Sequence, residues 1–343
     1  MTHRIAVIAG DGAGPEVIAE ARKVVDSAGL DIEWNDLPWG TDHFHAHGTM
    51  MPSDALETAR SHDAILLGAV GHPSVPDHIT LWGLLLPLRQ GLDLYANLRP
   101  ARLLDGIPSA LEGRPAVDML FVRENTEGEY SGVGGRAHQN LELEVGIETS
   151  VFTRGGVRRV VEHAFTLAEQ RRGVLTSATK SNASRFGYVL WDEVVEEVHA
   201  RHSGVKVERV LVDALAARMV SSPGSLDVVV ASNLFGDILT DLAAVLQGGM
   251  GMAASASSAP GTDTPAMFEP VHGSAPDIAG QGIANPLGAI WSASLMLDHL
   301  GEVDAAKRVL EAIEAVCREG ILTRDVGGSA STSDVGDAVA GRL

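Results

Sequence analysis

Residues 5–29 read IAVIAGDGAGPEVIAEARKVVDSAG, and this stretch decides the fold class. Its first five residues are an apolar run, typical of a strand that is buried on both faces. A glycine-rich turn follows, and Pro15 suits the first turn of a helix. From Val17 onward, apolar residues recur every three or four positions up to Gly29, which predicts a helix with one buried face. The stretch is therefore the beginning of a βαβ unit.

The same alternation of strands and helices continues along the chain and predicts an α/β protein with a largely parallel sheet. Further strands are predicted at residues 64–67, 119–122, 174–177, 207–212 and 226–231, and later helices at 236–246, 286–300 and 304–318. The small side chains of residues 253–264 (AASASSAPGTDT) indicate a loop. Residues 130–149 alternate in polarity and are interpreted as a β-ribbon, which needs a partner chain because an isolated ribbon is only marginally stable.

Composition narrows the class of protein. A chain of 343 residues with 45% hydrophobic residues and 38 glycines is typical of a compact α/β enzyme. The single Cys317 excludes a disulfide within the chain and favours a reducing compartment, so we expect a cytoplasmic location. We expect no signal peptide and no membrane span, because the chain has no apolar run near 18 residues. A net charge of −19 argues against nucleic acid and anionic membranes as partners.

An acidic pair marks the candidate metal site. Residues 219–306 contain nine carboxylates and no Lys or Arg, and within them FGDILTD places Asp237 and Asp241 at i and i+4 of a predicted helix. Such a like-charge pair costs about 0.2–0.5 kcal/mol when exposed, and a divalent metal ion would offset it. A solvated acidic face is the alternative. Asp213, at the end of another strand-like run, is the third carboxylate predicted near the metal ion.

Three arginines are candidate substrate ligands: Arg89 in PLRQ, Arg99 in NLRP and Arg123 in VRENTEGEY. A guanidinium group matches a carboxylate with two parallel hydrogen bonds, so three of them suit a small di- or tricarboxylate. Taken singly, each is more often a structural ion-pair donor. Tyr130 is a candidate acid near this cluster, and Lys180, after a predicted strand, is a candidate base; an ordinary core tyrosine and a surface lysine are the alternatives.

A candidate cofactor segment, FEPVHGSAPDIAGQGIANP, spans residues 268–286. GDGAGPE at residues 10–16 lacks the full dinucleotide fingerprint and is weaker evidence. Cofactor binding is assigned to Glu269, His272, Gly273, Ser274, Ala275, Asp277, Ile278 and Asn285. Asp277 is of the type that accepts from a ribose hydroxyl, and the segment has no basic residue, so NAD is favoured over NADP unless a residue such as Arg324 folds in.

Together these motifs resemble the β-decarboxylating dehydrogenases, which include isopropylmalate, isocitrate, homoisocitrate and tartrate/D-malate dehydrogenases. GDGAGPE, NLRP, VRENTEGEY, TKSN, ASNLFGDILTD and EPVHGSAPDIAG occur in the family's order over nearly the whole chain. Ala13 is a departure, since the family commonly has isoleucine there. The resemblance implies a two-domain open α/β fold of the isocitrate/isopropylmalate dehydrogenase type, not a standard Rossmann domain. It implies a large domain of residues 1–95 plus 248–343 and a small one of residues 96–247, with the dimer arm near 130–149.

The resemblance also implies roles for the residues. Arg89, Arg99 and Arg123 would hold the substrate carboxylates, and Tyr130 and Lys180 would transfer protons. Asp213, Asp237 and Asp241 would bind Mg²⁺ or Mn²⁺, and a K⁺ requirement stays open. The chain would act as a homodimer in which Lys180 and Asp213 reach the active site from the other subunit.

The residues before Arg89 address the substrate. Isocitrate enzymes have Ser and Asn where this chain has Gly83 and Leu85, and isopropylmalate enzymes have an acid in the place of Trp82. Residues 70–89 most resemble the tartrate/D-malate dehydrogenases, and an indole near the cavity would favour a small C3 substituent. We expect NAD-linked conversion of D-malate to pyruvate and CO₂, with tartrate also oxidised. A 3-alkylmalate substrate such as 3-isopropylmalate, or a non-catalytic NAD- or metabolite-binding role, are the alternatives.

Overall fold

A ten-stranded sheet runs through the molecule, for which a computed structural model describes residues 2–343. The strands are β1 (His3–Gly10), β2 (Ile32–Asp36), β3 (Ala64–Ala69), β4 (Ala96–Arg102), β5 (Asp118–Glu124), β6 (Gly128–Ala137), β7 (Val145–Val151), β8 (Val174–Thr179), β9 (Lys206–Leu211), β10 (Val228–Ala231), β11 (Ala254–Ser258) and β12 (Ala266–Pro270). Their order in the sheet is β2-β1-β3-β12-β11-β4-β5-β10-β8-β9. All pairs are parallel except β12–β11, β11–β4 and β4–β5. The predicted α/β class is confirmed, with a mixed sheet.

Helices cover both faces of this sheet. They are α1 (Gly14–Ser27), α2 (Thr41–His47), α3 (Ala55–Arg60), α4 (Asp77–Thr80), α5 (Leu86–Gly91), α6 (Arg154–Glu169), α7 (Gly187–His199), α8 (Val212–Ser221), α9 (Asn233–Leu246), α10 (Leu287–His299), α11 (Val303–Arg318) and α12 (Thr332–Ala340). A single π-helical turn, Leu81–Leu85, joins α4 to α5. None of the helices in residues 2–343 is long and apolar enough to cross a membrane.

Hydrophobic packing does not separate two halves of the chain. One buried cluster joins α1, α10, α11 and α12 to the sheet. A second contains Ile65 and Leu88 together with Val160 and Trp191, and so combines residues of both expected domains. The division into residues 1–95 plus 248–343 and 96–247 therefore stays a prediction, because the sheet continues across it.

The loop predicted at residues 253–264 is wrong in its first half. Ala254–Ser258 forms β11, a buried strand near the middle of the sheet. Helix α10 approaches this strand closely: a Cβ on Gly288 of α10 would lie 2.8 Å from the carbonyl oxygen of Ala253, the residue before β11. The Ser255 amide also donates to Ser292 Oγ of α10 at 3.3 Å. Small residues here allow a helix to approach the sheet, and they do not indicate flexibility.

The β-ribbon predicted at residues 130–149 is confirmed as a separate antiparallel pair, β6 and β7. It carries five apolar side chains that are 45–76% exposed: Val133, Leu141, Leu143, Val145 and Ile147. An exposed run of this kind is typical of a surface that contacts another molecule.

Candidate active site

A cavity of about 230 Å³ lies beside the carboxyl ends of β3 and β12. Its polar lining brings together residues that are distant in sequence: Arg89, Arg99, Arg123, Tyr130, Asp237, Glu269 and His272. Part of its apolar wall comes from the helical segment before Arg89, which contributes Leu81, Leu85 and Leu86. The three predicted arginines therefore do converge, and they form a cationic cavity inside an acidic protein.

Helix α9 holds two of the arginines in place. Arg123 donates through Nε and Nη2 to Asn233 Oδ1, at 3.1 and 2.7 Å. Arg99 donates through Nη1 to Thr240 Oγ1 at 2.7 Å. Asn233, Asp237 and Thr240 stand at i, i+4 and i+7, so one helical face orients the guanidinium groups. The sequence prediction missed Asn233 and Thr240, although this spacing could have revealed them.

Asp237 is the counter-ion of this arginine pair. Its Oδ1 contacts Arg123 Nη1 and lies 3.5 Å from Arg99 Nη2. Burial would raise the pKa of Asp237, but Arg123 and Arg99 lower it below its usual range. Burial, together with Arg123, in turn lowers the pKa of Arg99 to about 9. Arginines from β4 and β5 therefore supply positive charge that residues 219–306 lack.

Arg89 is held separately. Its Nη2 lies 2.5 Å from Glu269 Oε1, and both side chains are buried. Glu269, assigned to the cofactor from sequence, is therefore first of all the ion-pair partner of a candidate substrate arginine. Arg89 Nε is buried without a hydrogen-bond partner among residues 2–343 and is available to a bound anion.

Tyr130 lies at the foot of the ribbon, in the cavity wall. Its hydroxyl donates to Asp237 Oδ2 at 3.1 Å. Burial and the charge of Asp237 raise the pKa of Tyr130 above its ordinary value, against the opposing effect of Arg123. The phenol is therefore protonated at neutral pH, as a proton donor must be.

Trp82 does not line this cavity, contrary to the sequence prediction. Its indole packs at the base of the ribbon, where a Cβ on Gly132 would lie 2.7 Å from the ring. The reason is the π turn, in which the Leu86 amide donates to the Leu81 carbonyl, five residues back. In an uninterrupted α-helix, Trp82 and Arg89 would share one side; the extra residue rotates the indole away.

Lys180 and Asp213 form a separate pair that does not line the cavity. Lys180 follows β8 and Asp213 is the second residue of α8; Lys180 Nζ lies 2.6 Å from Asp213 Oδ1. The hydrogen bond from Lys180 lowers the pKa of Asp213, whose side chain is 67% exposed. Within residues 2–343 of one chain, no three His, Cys, Asp or Glu side chains are grouped to hold a metal ion.

Asp241 is the second acid of α9. It lies one turn after Asp237, and the residue as a whole is exposed. Partial burial of its carboxyl group, together with the charge of Asp237, nevertheless raises the pKa of Asp241. Oxygen ligands and mutual repulsion suit this pair to a hard divalent ion. One chain thus places Asp237 in the lining of the cavity and Asp241 one helical turn further along α9, outside that lining.

The segment after β12 retains an orphaned polar atom of the kind a nucleotide would satisfy. His272 Nδ1 lies 2.9 Å from the Gly273 carbonyl oxygen, which places the ring proton on Nδ1. Nε2 is then a buried acceptor with no partner in the described part of the chain. Burial lowers the pKa of His272, so the ring is neutral. A ribose hydroxyl is a suitable donor to such a nitrogen.

Other residues assigned to the cofactor have internal partners. Asn285 donates to Asp325 Oδ2 at 3.1 Å and accepts from the Leu287 amide at 3.0 Å. Ala275 and Ile278 pack against the hydrophobic core. Ser274 is buried, whereas Gly273 and Asp277 are exposed and accessible to a ligand.

An α/β architecture with an arginine-lined cavity beside the carboxyl ends of two strands defines a protein that binds a small anion. Residues 4–339 match the model of the isocitrate/isopropylmalate dehydrogenase family, and the chain belongs to this family. A probable tartrate dehydrogenase/decarboxylase of Agrobacterium vitis is 51% identical over 345 residues, covering 98% of this chain and 96% of the relative. A 3-isopropylmalate dehydrogenase of Mycobacterium sp. (strain KMS) is 48% identical over 339 residues, covering 99% of both.

A solved structure agrees with this assignment. The crystal structure of isocitrate dehydrogenase from Methylococcus capsulatus has a TM-score of 0.92 at 35% identity and covers 99% of both chains. The fold is therefore that of isocitrate dehydrogenase, as expected. The chain is a decarboxylating dehydrogenase of a family that generally uses NAD or NADP and a divalent metal ion.

Proposed function

We propose that this enzyme carries out the NAD-linked, divalent-metal-dependent oxidative decarboxylation of a small 2-hydroxy diacid, D-malate to pyruvate and CO₂, and that it also oxidises tartrate. The observation that carries the proposal is the convergence of Arg89, Arg99 and Arg123 in a cavity of about 230 Å³. Relatives named as probable tartrate dehydrogenase/decarboxylase support the substrate class.

The residues of the chain have distinct tasks in this reaction. The arginines bind the two carboxylates, in part by charge-assisted hydrogen bonds. Lys180 takes the proton of the C2 hydroxyl, and Tyr130 protonates the carbon from which CO₂ departs. When bound, NAD would accept the hydride from C2, and the metal ion, held by Asp213, Asp237 and Asp241, would polarise the oxygen on C2.

These tasks require a homodimer, because Lys180 and Asp213 do not reach the cavity of their own chain. In the proposed dimer each subunit supplies this pair to the cavity of the other. The exposed apolar side chains of the ribbon support such a contact, as do Ile238 and Val245 of α9, which are 58% and 50% exposed.

A specific observation also favours 3-isopropylmalate as an alternative substrate. An isopropyl group would fit against the apolar part of the cavity wall that is formed by Leu81, Leu85 and Leu86. Since Trp82 lies outside the cavity, the indole no longer argues for a small substituent. A relative named 3-isopropylmalate dehydrogenase at 48% identity strengthens this alternative.

The deciding experiment measures NADH formation with D-malate, each tartrate isomer and 3-isopropylmalate, with Mn²⁺ and with either NAD or NADP. We expect the highest kcat/KM with D-malate and NAD. A preference for 3-isopropylmalate would replace the substrate assignment. If no 2-hydroxy diacid is turned over, the alternative of a non-catalytic binding protein is favoured.

Matched variants test the metal requirement. Asp241→Asn is expected to abolish metal-dependent turnover with the fold intact, because it removes an anionic ligand from an exposed position. Asp304→Asn, at an exposed acid of α11 outside the cavity, is the control. Full activity of Asp241→Asn, or of the wild type after treatment with a chelator, would exclude the proposed metal site.

A further inference from the structure

The glycine-rich turn at residues 10–16 contacts protein backbone where a phosphate-binding loop would contact its ligand. A Cβ on Gly12 would lie 2.0 Å from the Ser274 carbonyl oxygen, and one on Gly10 would lie 1.9 Å from that of Ala69. The space that glycine leaves free is therefore filled by the end of β3 and by the segment after β12. The turn is built for close packing between these two backbones.

The same turn hydrogen-bonds the segment of residues 271–285, here called the nucleotide loop. The Ala13 amide donates to the Ser274 carbonyl at 2.7 Å. Glu16, in the first turn of α1, accepts from the amide of Gly280 with one carboxylate oxygen and from that of Gly282 with the other, the latter at 3.0 Å. Both oxygens of a single carboxylate thus bind the far side of the loop.

The nucleotide loop is held in a conformation that it would not adopt freely. Ala275 has φ +42°, in the left-handed region that a residue with a Cβ rarely adopts. Helix α12 restrains the loop from another side, since Thr332 donates through its amide to the Gly282 carbonyl at 2.9 Å and through Oγ1 to Ala284 at 2.7 Å. A strained loop persists only when its surroundings fix it.

We propose that Glu16 is a positioning residue that preorganises the nucleotide loop and thereby sets the affinity for the dinucleotide without taking part in the chemistry. Glu16 does not line the cavity, so it acts through the backbone of the loop. Fixing the loop before binding removes an ordering cost from association and so increases affinity. This inference rests on the proposed cofactor role of the loop.

The test compares Glu16→Ala and Glu16→Gln with Asp26→Asn. Asp26 lies on the same helix, is exposed, and accepts from Trp34 Nε1 at 2.8 Å, away from the loop. Hydrogen exchange of the loop amides is measured without cofactor, and NADH affinity is measured by fluorescence titration. For Glu16→Ala we expect faster exchange confined to residues 271–285 and about tenfold weaker NADH binding, since charge-assisted hydrogen bonds are lost.

The other readouts separate positioning from a general loss of structure. The kcat at saturating NAD should be retained, so that only KM for NAD rises. Glu16→Gln, which keeps one acceptor oxygen, should lie between the wild type and Glu16→Ala, and it serves if the alanine variant does not fold. Asp26→Asn should match the wild type in exchange and in affinity.

Two results would overturn different statements. Unchanged loop exchange in both Glu16 variants would refute the positioning role, whatever the cofactor. Wild-type protein whose residues 271–285 gain no protection from NADH would refute the cofactor assignment of the loop, while the exchange comparison without cofactor would still decide whether Glu16 orders it.

Discussion

Two groups of charged residues in this chain differ in how complete they are. The arginine cluster at the cavity is buried, and its counter-ions, Asp237 and Glu269, come from the same chain. The Lys180–Asp213 pair has side chains that are 29% and 67% exposed and does not line the arginine cavity of its own chain. The arginine cluster is a binding site formed within one chain. The Lys180–Asp213 pair has reactive side chains but no surrounding cavity in this chain that would bind a substrate.

The difference shows what each group can do alone. Buried and paired guanidinium groups keep their positions, because moving away from the counter-ion would leave a buried charge uncompensated. An exposed ion pair is worth only about 0–1 kcal/mol and is free to exchange partners. The exposed pair is therefore suited to contribute to a site that forms only when two chains meet.

The strongest test of this difference combines two inactive variants in one dimer. Lys180→Ala and Asp241→Asn should each lower kcat by about 10³-fold or more, because a proton acceptor or a metal ligand is lost. Coexpressed in equal amounts, they should regain about a quarter of wild-type activity, since half of the dimers are mixed and each mixed dimer has one intact site. Purification through two different tags isolates the mixed dimer for assay.

The control for this experiment mixes Lys180→Ala with Asp213→Asn. Both changes lie in the exposed pair, so each site of the mixed dimer retains a defect and no activity should return. Restoration in the control, or none in the test pair, would contradict a site shared between subunits.

A smaller loss of activity is expected from a substitution in the wall of the arginine cavity. Tyr130→Phe should lower kcat by about 10²-fold, the lower end of the usual contribution of a positioned proton donor. Because the pKa of Tyr130 is raised above its ordinary 10.0, wild-type activity should show no loss from its ionisation below pH 10. Steady-state rates across pH provide the measurement.

Tyr95→Phe is the matched control for this prediction. The Tyr95 hydroxyl donates to the Pro260 carbonyl at 3.2 Å, outside the cavity. Its loss should leave kcat within about twofold of the wild type, as for most substitutions away from the site. Equal effects of the two substitutions would remove Tyr130 from its proposed role.

The two groups should also differ in how much they contribute to the free energy of unfolding. Asp237→Asn should lower the free energy of unfolding at pH 7 by about 2–3 kcal/mol, because Arg99 and Arg123 lose their counter-ion. The folded-state pKa of Asp237 is below its ordinary 3.8, so its ionised form stabilises the fold above that pH. This stabilisation is lost as the pH falls through the lowered value, and the gap between variant and wild type should close there. Urea unfolding at several pH values measures the gap.

The smallest expected effect belongs to the exposed pair. Asp213→Asn should leave the free energy of unfolding close to the wild-type value, since its partner Lys180 remains accessible to water. The same variant should nevertheless lose nearly all turnover. A large loss of stability in the same urea titration would show that the pair is structural.

Much of the fold could be predicted because its signals are local. The apolar runs of β1, β3, β5 and β8 identify buried strands, and the stripe from Val17 to Val25 identifies a helix face. Strand β11 was not predicted, because its Ala and Ser residues have low β-propensity. Small side chains suit this strand because α10 packs closely on it, and that packing cannot be seen in the local sequence.

The candidate site was predictable to the same extent. Motifs located the arginines and Tyr130, although their elements differ: Arg99 and Arg123 lie in β4 and β5, Arg89 in α5 and Tyr130 in β6. The direction of Trp82 could not be predicted, because one π turn changes the helical phase without an evident signal in LWGLL. Asp237's arginine partners were equally hidden, since their pairing depends on β4 and β5 packing against α9.

The net charge of −19 has a kinetic consequence for a cavity lined by arginines. A dianionic substrate diffuses through a repulsive field and is attracted only within roughly 10 Å of the opening, the screening length at 0.1 M salt. Moderate ionic strength should therefore speed its capture by weakening the distant repulsion more than the short-range attraction. Most enzymes that bind anions are slowed by salt; for this one, kcat/KM should first rise.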